Sequence, residues 1–319
     1  MARDVLSMRA AGVPRLRVAF FGSASRFSQL AFEQIAVTQD IVALVLPRPA
    51  KSALRLALRQ MAGLTSPSPL ERIARDRGIP VLAASDDLSA LCERLRALQP
   101  HLMCVAIFPR MLPRDLIGVA PLGAINAHPS LLPRHRGPLP LFWTYHADDR
   151  FAGVTVHHAN ERFDAGEVIL QERFALPRAY PVADLDRDVA ECAAPLLRAA
   201  VEQLGLGGAP RQAQNESAAT YAPLFQPGTP MVPFDQWDVE RVWHFLAGLC
   251  PRYREPLVDA SGREAFYDKV TGYRLDRSRG TPGSVESCEG GWNLQCRNGV
   301  VRLEAQSPRQ SRVATPAGD

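Results

Sequence analysis

No stretch of this 319-residue chain approaches the ~18 to 20 consecutive apolar residues that a membrane-spanning helix requires. The opening "MARDVLSMRAAGVPRLR" is broken by charge and has no apolar h-region, so no secretory signal is read there. The six cysteines (Cys92, Cys104, Cys192, Cys250, Cys288, Cys296) include no CxxC pair and no zinc-type grouping with histidine. They read as reduced packing thiols, which predicts a cytoplasmic location and no metal. The opening strand ends in a single Gly22 and not in GxGxxG, so a dinucleotide fingerprint is absent. No serine or cysteine sits in an obvious nucleophile elbow, which disfavours a covalent intermediate. The formal charge of +4 is too mild to imply nucleic acid by itself.

What is present is ordinary globular composition, 46% hydrophobic and 22% charged, at a length that favours two domains. "LRVAFFGSAS", the helical spacing of Phe27, Leu30, Ala31 and Ile35, and then "IVALVLP" give strand, turn, helix, strand. That is how a doubly wound, mostly parallel sheet begins. "IPVLAA", "HLMCVAIF" and "GAIN" continue the strands, with "LERIARDRG" and "LSALCERLRALQP" as helices between them. "GVTVHHA" and "EVILQERFAL" read as an antiparallel pair around the "NERFDAG" loop, followed by a long helix from "VADLDRDV". The expected organisation is a loose extension over 1–14, an α/β catalytic domain over 15–206 and a proline- and glycine-rich linker over 207–228. Short strands with glycine turns over 229–306 suggest a small OB-like β-barrel, and 307–319 a tail.

The chemistry concentrates in "INAHPSLLPRHRG". On a strand, residues two apart share a face, so Asn126 and His128 project together where the fifth strand gives way to a loop. Asp164 sits in the tight turn of "RFDAG". An amide donor, an imidazole and a carboxylate suffice for direct acyl transfer to an amine: the donors hold the oxyanion and the His–Asp pair handles the proton. Taken singly, each is as consistent with a satisfied structural residue or turn chemistry. His157 and His158 are adjacent, face opposite sides of a strand, and read as structural or flanking.

"NAHPSLLPRHRG", then "GVTVHHANERFDAGEVILQ", resembles the folate-dependent formyltransferase family. "VLPRPAKS" and the C-terminal "FDQWDVERVWHFLAGLCP" and "GTPGSVESCEGGWNLQCRNGVVRLEA" extend the likeness to its methionyl-tRNA branch, from about residue 15 to 306. The resemblance implies a Rossmann-like formyltransferase fold, 10-formyltetrahydrofolate as donor co-substrate, and Asn126, His128 and Asp164 as the catalytic set. It places the donor beside Phe108, Arg110, Met111 and Leu112 and the loop of Asn160, Glu161, Arg162 and Phe163, with Arg48, Lys51 and Arg136 toward the acceptor. The acceptor stays open between methionyl-tRNA and, slightly favoured, a small amine or amino sugar. "VHH" stands where tRNA-acting members usually have a methionine-rich strand, and residues 221–319 carry 12 basic and 12 acidic residues, net zero. Against this, Arg48, Lys51, Arg55 and Arg59 form a run without an acid. A 10-formyltetrahydrofolate hydrolase is the alternative, with water in place of the amine.

Overall fold

The computed structural model describes residues 14–47, 67–84, 87–276 and 280–305. In chain order it gives β1 (Arg17–Gly22), α1 (Arg26–Thr38), β2 (Asp40–Pro47), α2 (Pro69–Asp76), β3 (Val81–Ala84), α3 (Leu88–Ala97) and β4 (Leu102–Ala106). There follow α4 (Arg114–Ile117), β5 (Ala124–His128), α5 (Pro140–His146), β6 (Phe151–His158), β7 (Val168–Ala175) and α6 (Val182–Gly205). The described residues close with α7 (Val239–Leu249), β8 (Tyr267–Leu275), β9 (Val285–Cys288), β10 (Gly291–Cys296) and β11 (Gly299–Ala305). It divides into two units, one of residues 1–138, 152–174 and 187–221, the other of 139–151, 175–186 and 222–319.

The first unit holds the sheet β3-β2-β1-β4-β5-β6-β7. Strands β1 to β5 pair in parallel, because each apolar run is followed by a helix that carries the chain back. Residues of both faces are buried, as continuous Val/Ala/Phe strands require: Ala19, Phe21, Val45, Leu95 and Val105 form one core, while Phe20 meets Phe32 of α1 edge-on at 5.4 Å. Ser25 caps α1 by accepting from the Ser28 N–H. β6 reverses direction against β5, with Asn126 opposite His157 and His128 opposite Thr155. β7 lies antiparallel to β6, since His158 donates to Glu167 while Gly153 abuts Glu172 and Arg173. The segment that composition marks as a linker is held here up to residue 221: Gln212 exchanges both backbone bonds with Val168, and Arg136 donates to the Thr220 carbonyl.

The second unit contains the antiparallel sheet β8-β11-β10-β9 and the helix α7, whose Val239, Val242, Phe245, Leu246 and Leu249 are buried. Short antiparallel strands with glycine turns are what the sequence there predicts. Helix α5 is not: "PLPLFWTYH" is short and begins among prolines, and an aromatic cluster of Phe142, Phe245, Tyr253 and Trp237 supplies the packing it needs.

Candidate active site

β5 enters the sheet as a buried strand and ends on His128, leaving Asn126 and His128 on one face. The loop after it is anchored to β6 through Thr155, whose hydroxyl donates to the Ser130 carbonyl (2.6 Å) and accepts from the Leu132 N–H (3.1 Å). The Ser130 hydroxyl donates to the Arg134 carbonyl at 2.7 Å. The serine of "SLLP" thus shapes the loop, and the loop carries His135 and Gly137 to the strand end.

Asp164 is the centre of the arrangement. Its Oδ2 accepts from the Gly137 N–H (2.8 Å) and lies 3.6 Å from His128 Nδ1; its Oδ1 accepts from Asn126 Nδ2 (3.2 Å). The residue adopts φ 49°, a left-handed conformation that Asp tolerates better than most side chains. Burial works to raise its carboxyl, but His128, His157 and the Gly137 N–H prevail and hold it well below the usual carboxylate range. Asp164 is therefore ionised.

His128 is buried, and its Nε2 lies 2.9 Å from the His135 carbonyl. A carbonyl only accepts, so Nε2 carries the hydrogen and Nδ1 is the free basic nitrogen, facing Asp164. Burial pushes the His128 imidazole below its ordinary value, and the Asp164 carboxylate opposes this in part. The neutral ring is thus poised to accept a proton at Nδ1 beside a waiting anion.

The structure adds His157. It is buried, and its Nδ1 donates to the His158 carbonyl (2.8 Å), which leaves Nε2 to accept from Asn126 Nδ2 at 3.2 Å. The Asn126 amide is thereby oriented by two acceptors, Asp164 and His157, which assigns nitrogen and not oxygen to that position. Adjacency alone made His157 a flanking residue; the signal that finds it is the antiparallel register placing it opposite Asn126. The Gly137 N–H and the His135 carbonyl are backbone groups and leave no trace in residue type.

The other expected site residues fall into distinct places. Phe108 meets Phe21 edge-on at 5.4 Å just beyond β4, while Met111 is 42% and Phe163 60% exposed. Leu112, expected beside the donor, is buried in the core with Val105 and Leu116. Asn160, Glu161 and Arg110 are at the surface; Asn160 accepts from the Arg162 N–H and Arg162 reaches Glu216 at 3.3 Å. Arg136, expected to contact the acceptor, is buried, with its guanidinium on Gln214 and Glu216. In that position its donors face protein. Arg48, Lys51, Arg55 and Arg59 lie outside the described residues. Among those described, no group of three or more His, Cys, Asp or Glu side chains could hold a metal.

An open α/β sheet with an amide, an imidazole and a carboxylate converging at the carboxyl end of β5 defines a class of group-transfer fold. The formyl transferase family profile matches residues 16–201, and the chain belongs to that family. It is 35% identical over 187 residues to methionyl-tRNA formyltransferase of Moorella thermoacetica, covering 58% of this chain and 60% of that protein. The corresponding protein of Geotalea daltonii is 26% identical over 310 residues, covering 95% and 94%. The matched region thus spans only about 60% of the Moorella protein, and 59% of its Syntrophus aciditrophicus counterpart. In fold, the chain resembles an N-formyltransferase from Helicobacter canadensis solved with folinic acid and dTDP-3-aminofucose (TM-score 0.66, 14% identity, 91% of this chain and 99% of that). It also resembles HypX from Aquifex aeolicus in complex with tetrahydrofolic acid (TM-score 0.57, 20% identity, 91% and 44%).

Proposed function

We propose that the protein is a 10-formyltetrahydrofolate-dependent N-formyltransferase that moves the formyl group to a primary amine without a covalent enzyme intermediate. The observation that carries the reading is the convergence of Asn126, His128 and an ionised Asp164 at one strand end. When bound, the folate supplies the formyl group on a nitrogen that departs with a proton. The exposed apolar side chains of Ile107 and Met111, which follow the end of β4 where it pairs with β5, and of Phe163, next to Asp164, suit an aromatic donor. Asn126 Nδ2, whose two hydrogens rest on Asp164 and His157, releases one of them to support the developing oxyanion. His128 Nδ1 takes the proton lost by the attacking amine, pairs as imidazolium with Asp164, and returns the proton to the leaving nitrogen. One N–H is lost and one formed, and Asp164 stays ionised throughout.

For the acceptor, the net-zero charge of residues 221–319 favours a small amine or amino sugar, since RNA phosphates are usually met by a basic surface. The shared name of the relatives above supports methionyl-tRNA as the competing acceptor. A cytoplasmic location suits either acceptor. The test supplies purified protein with 10-formyltetrahydrofolate and either charged initiator tRNA or a panel of amino sugars, and follows formylated product and free formate. Product on an amine is expected; formate release indifferent to every amine would establish the hydrolase instead.

A further inference from the structure

We infer that Gln214 is a positioning residue for Asp164, locking the site turn through its backbone carbonyls. The Gln214 Nε2 amide donates to the Asp164 carbonyl (2.8 Å) and to the Gly166 carbonyl (2.7 Å), the two groups that straddle the left-handed turn at Asp164. Its Oε1 accepts from Arg136 Nε (3.1 Å) and Nη2 (2.8 Å). The same guanidinium grips Glu216 through both carboxylate oxygens, at 3.0 and 3.1 Å. Arg136 is followed by Gly137, whose N–H holds the Asp164 carboxylate. A closed ring results: the Arg136 side chain, the Gln214 amide, the Asp164 backbone, the Asp164 carboxylate and the Gly137 N–H, back to Arg136.

Two features make this more than a surface staple. A buried guanidinium is tolerated only when its donors are met, so Arg136 fixes the side-chain amide of Gln214 in one orientation, oxygen toward itself and nitrogen toward the turn. And the turn so held is a left-handed non-glycine position, which persists only where its surroundings impose it. The segment around 212–221, which composition marks as connecting chain, is in this view part of the site's support.

The inference rests on reading Asp164 as the site carboxylate, and the experiment separates the two. In the full-length protein without substrates, the titration of the His128 ring is followed by NMR in wild type, Gln214→Ala, Gln214→Glu, Arg211→Ala and Asp164→Asn. His128 is faced by Asp164, His157 and His135; the Asp164 carboxylate favours the charged ring most, and the bond to the His135 carbonyl adds to it. Removing or displacing the carboxylate therefore moves the titration to lower pH. Asp164→Asn sets the size of that effect, and Gln214→Ala is expected to move the same way; Gln214→Glu, whose added carboxylate itself favours the charged ring, is judged by its kcat. Gln214→Glu keeps an oxygen for Arg136 and loses both N–H donors, so it isolates the clamp should the alanine variant fail to fold. Arg211→Ala, which removes an exposed pair with Glu167 in the same segment, should leave the titration in place. In turnover, kcat of the Gln214 variants should fall by on the order of 10²-fold, as misplacement of a catalytic group by an ångström does. A wild-type titration in Gln214→Ala, or a wild-type kcat per folded molecule in Gln214→Glu, overturns the inference. Formyl transfer undiminished in Asp164→Asn would instead sink the functional reading, leaving the titration to judge the clamp.

Discussion

Around Asp164, a backbone N–H, an amide and an imidazole meet one carboxylate, and the consequences can be tested one side chain at a time. Replacing His128 with Ala removes the proton carrier of the proposed mechanism while leaving the rest of β5 in place. We expect a loss of about 10²-fold or more in kcat/KM with an unchanged circular dichroism spectrum. Near-normal turnover would remove His128 from the mechanism. The pH dependence follows from the same geometry. His128 must be neutral to accept at Nδ1, and burial holds its imidazole below the ordinary 6.5, so activity should stay level through pH 7 and fall only below 6.5. An acid limb above pH 7 in the kcat profile, measured with the amine saturating, contradicts that assignment. Asp164 contributes no limb in this range, being ionised throughout.

Among elements, the β6–β7 hairpin sets the tolerance of the site, and Gly166 is its tightest point. A Cβ there would stand 1.7 Å from the His158 carbonyl oxygen, which belongs to backbone and cannot swing aside. Gly166→Ala should therefore cost about 1–3 kcal/mol and displace the Asp164 turn; a melt and a turnover within error of wild type would show that the hairpin yields. The sheet strands were legible in sequence because uninterrupted short runs such as "VAFF" and "LMCVA" suit a strand buried on both faces. Asn126, His128 and Asp164 were legible for a different reason: polar residue types at strand ends and turns stand out against such runs. Helix α5 was not, because its stability comes from Phe245 and Tyr253, distant in sequence. Nor was the partnership of Gln214 with Arg136, which joins residues 78 apart through one amide.

For the molecule as a whole, ligand linkage and acid stability give independent readouts. A donor analogue that binds only the folded state, such as folinic acid at 100 times its Kd, should add about 2.7 kcal/mol of stability; NAD should add none. A melt raised by NAD and indifferent to the folate would reverse the donor assignment. All four tryptophans (Trp143, Trp237, Trp243, Trp292) lie in the second unit, so indole fluorescence reports that unit alone. There His244 is fully buried, accepts the Ala179 N–H at Nδ1 (2.8 Å), and is pushed down to about 4, chiefly by burial. Its folded value lies below the unfolded 6.5, so the stability it contributes is present above pH 6.5 and is lost as pH falls toward 4, by about 3 kcal/mol. His244→Gln, an acceptor that does not titrate, should flatten that acid loss; an unchanged slope would assign it to other groups. The interleaving of the two units also bears on how the gene can be divided. A reading frame stopped after codon 221 would still encode every strand of the large sheet and every member of the Arg136–Gln214–Asp164 ring. It would also encode residues 139–151 and 175–186, now without the chain they fold against, so Phe142 would be made without Phe245 and Tyr253, and Tyr145 without His244. The unit that carries Asp164 is thus a spatial unit without being a heritable one: no single breakpoint in the gene yields it clean.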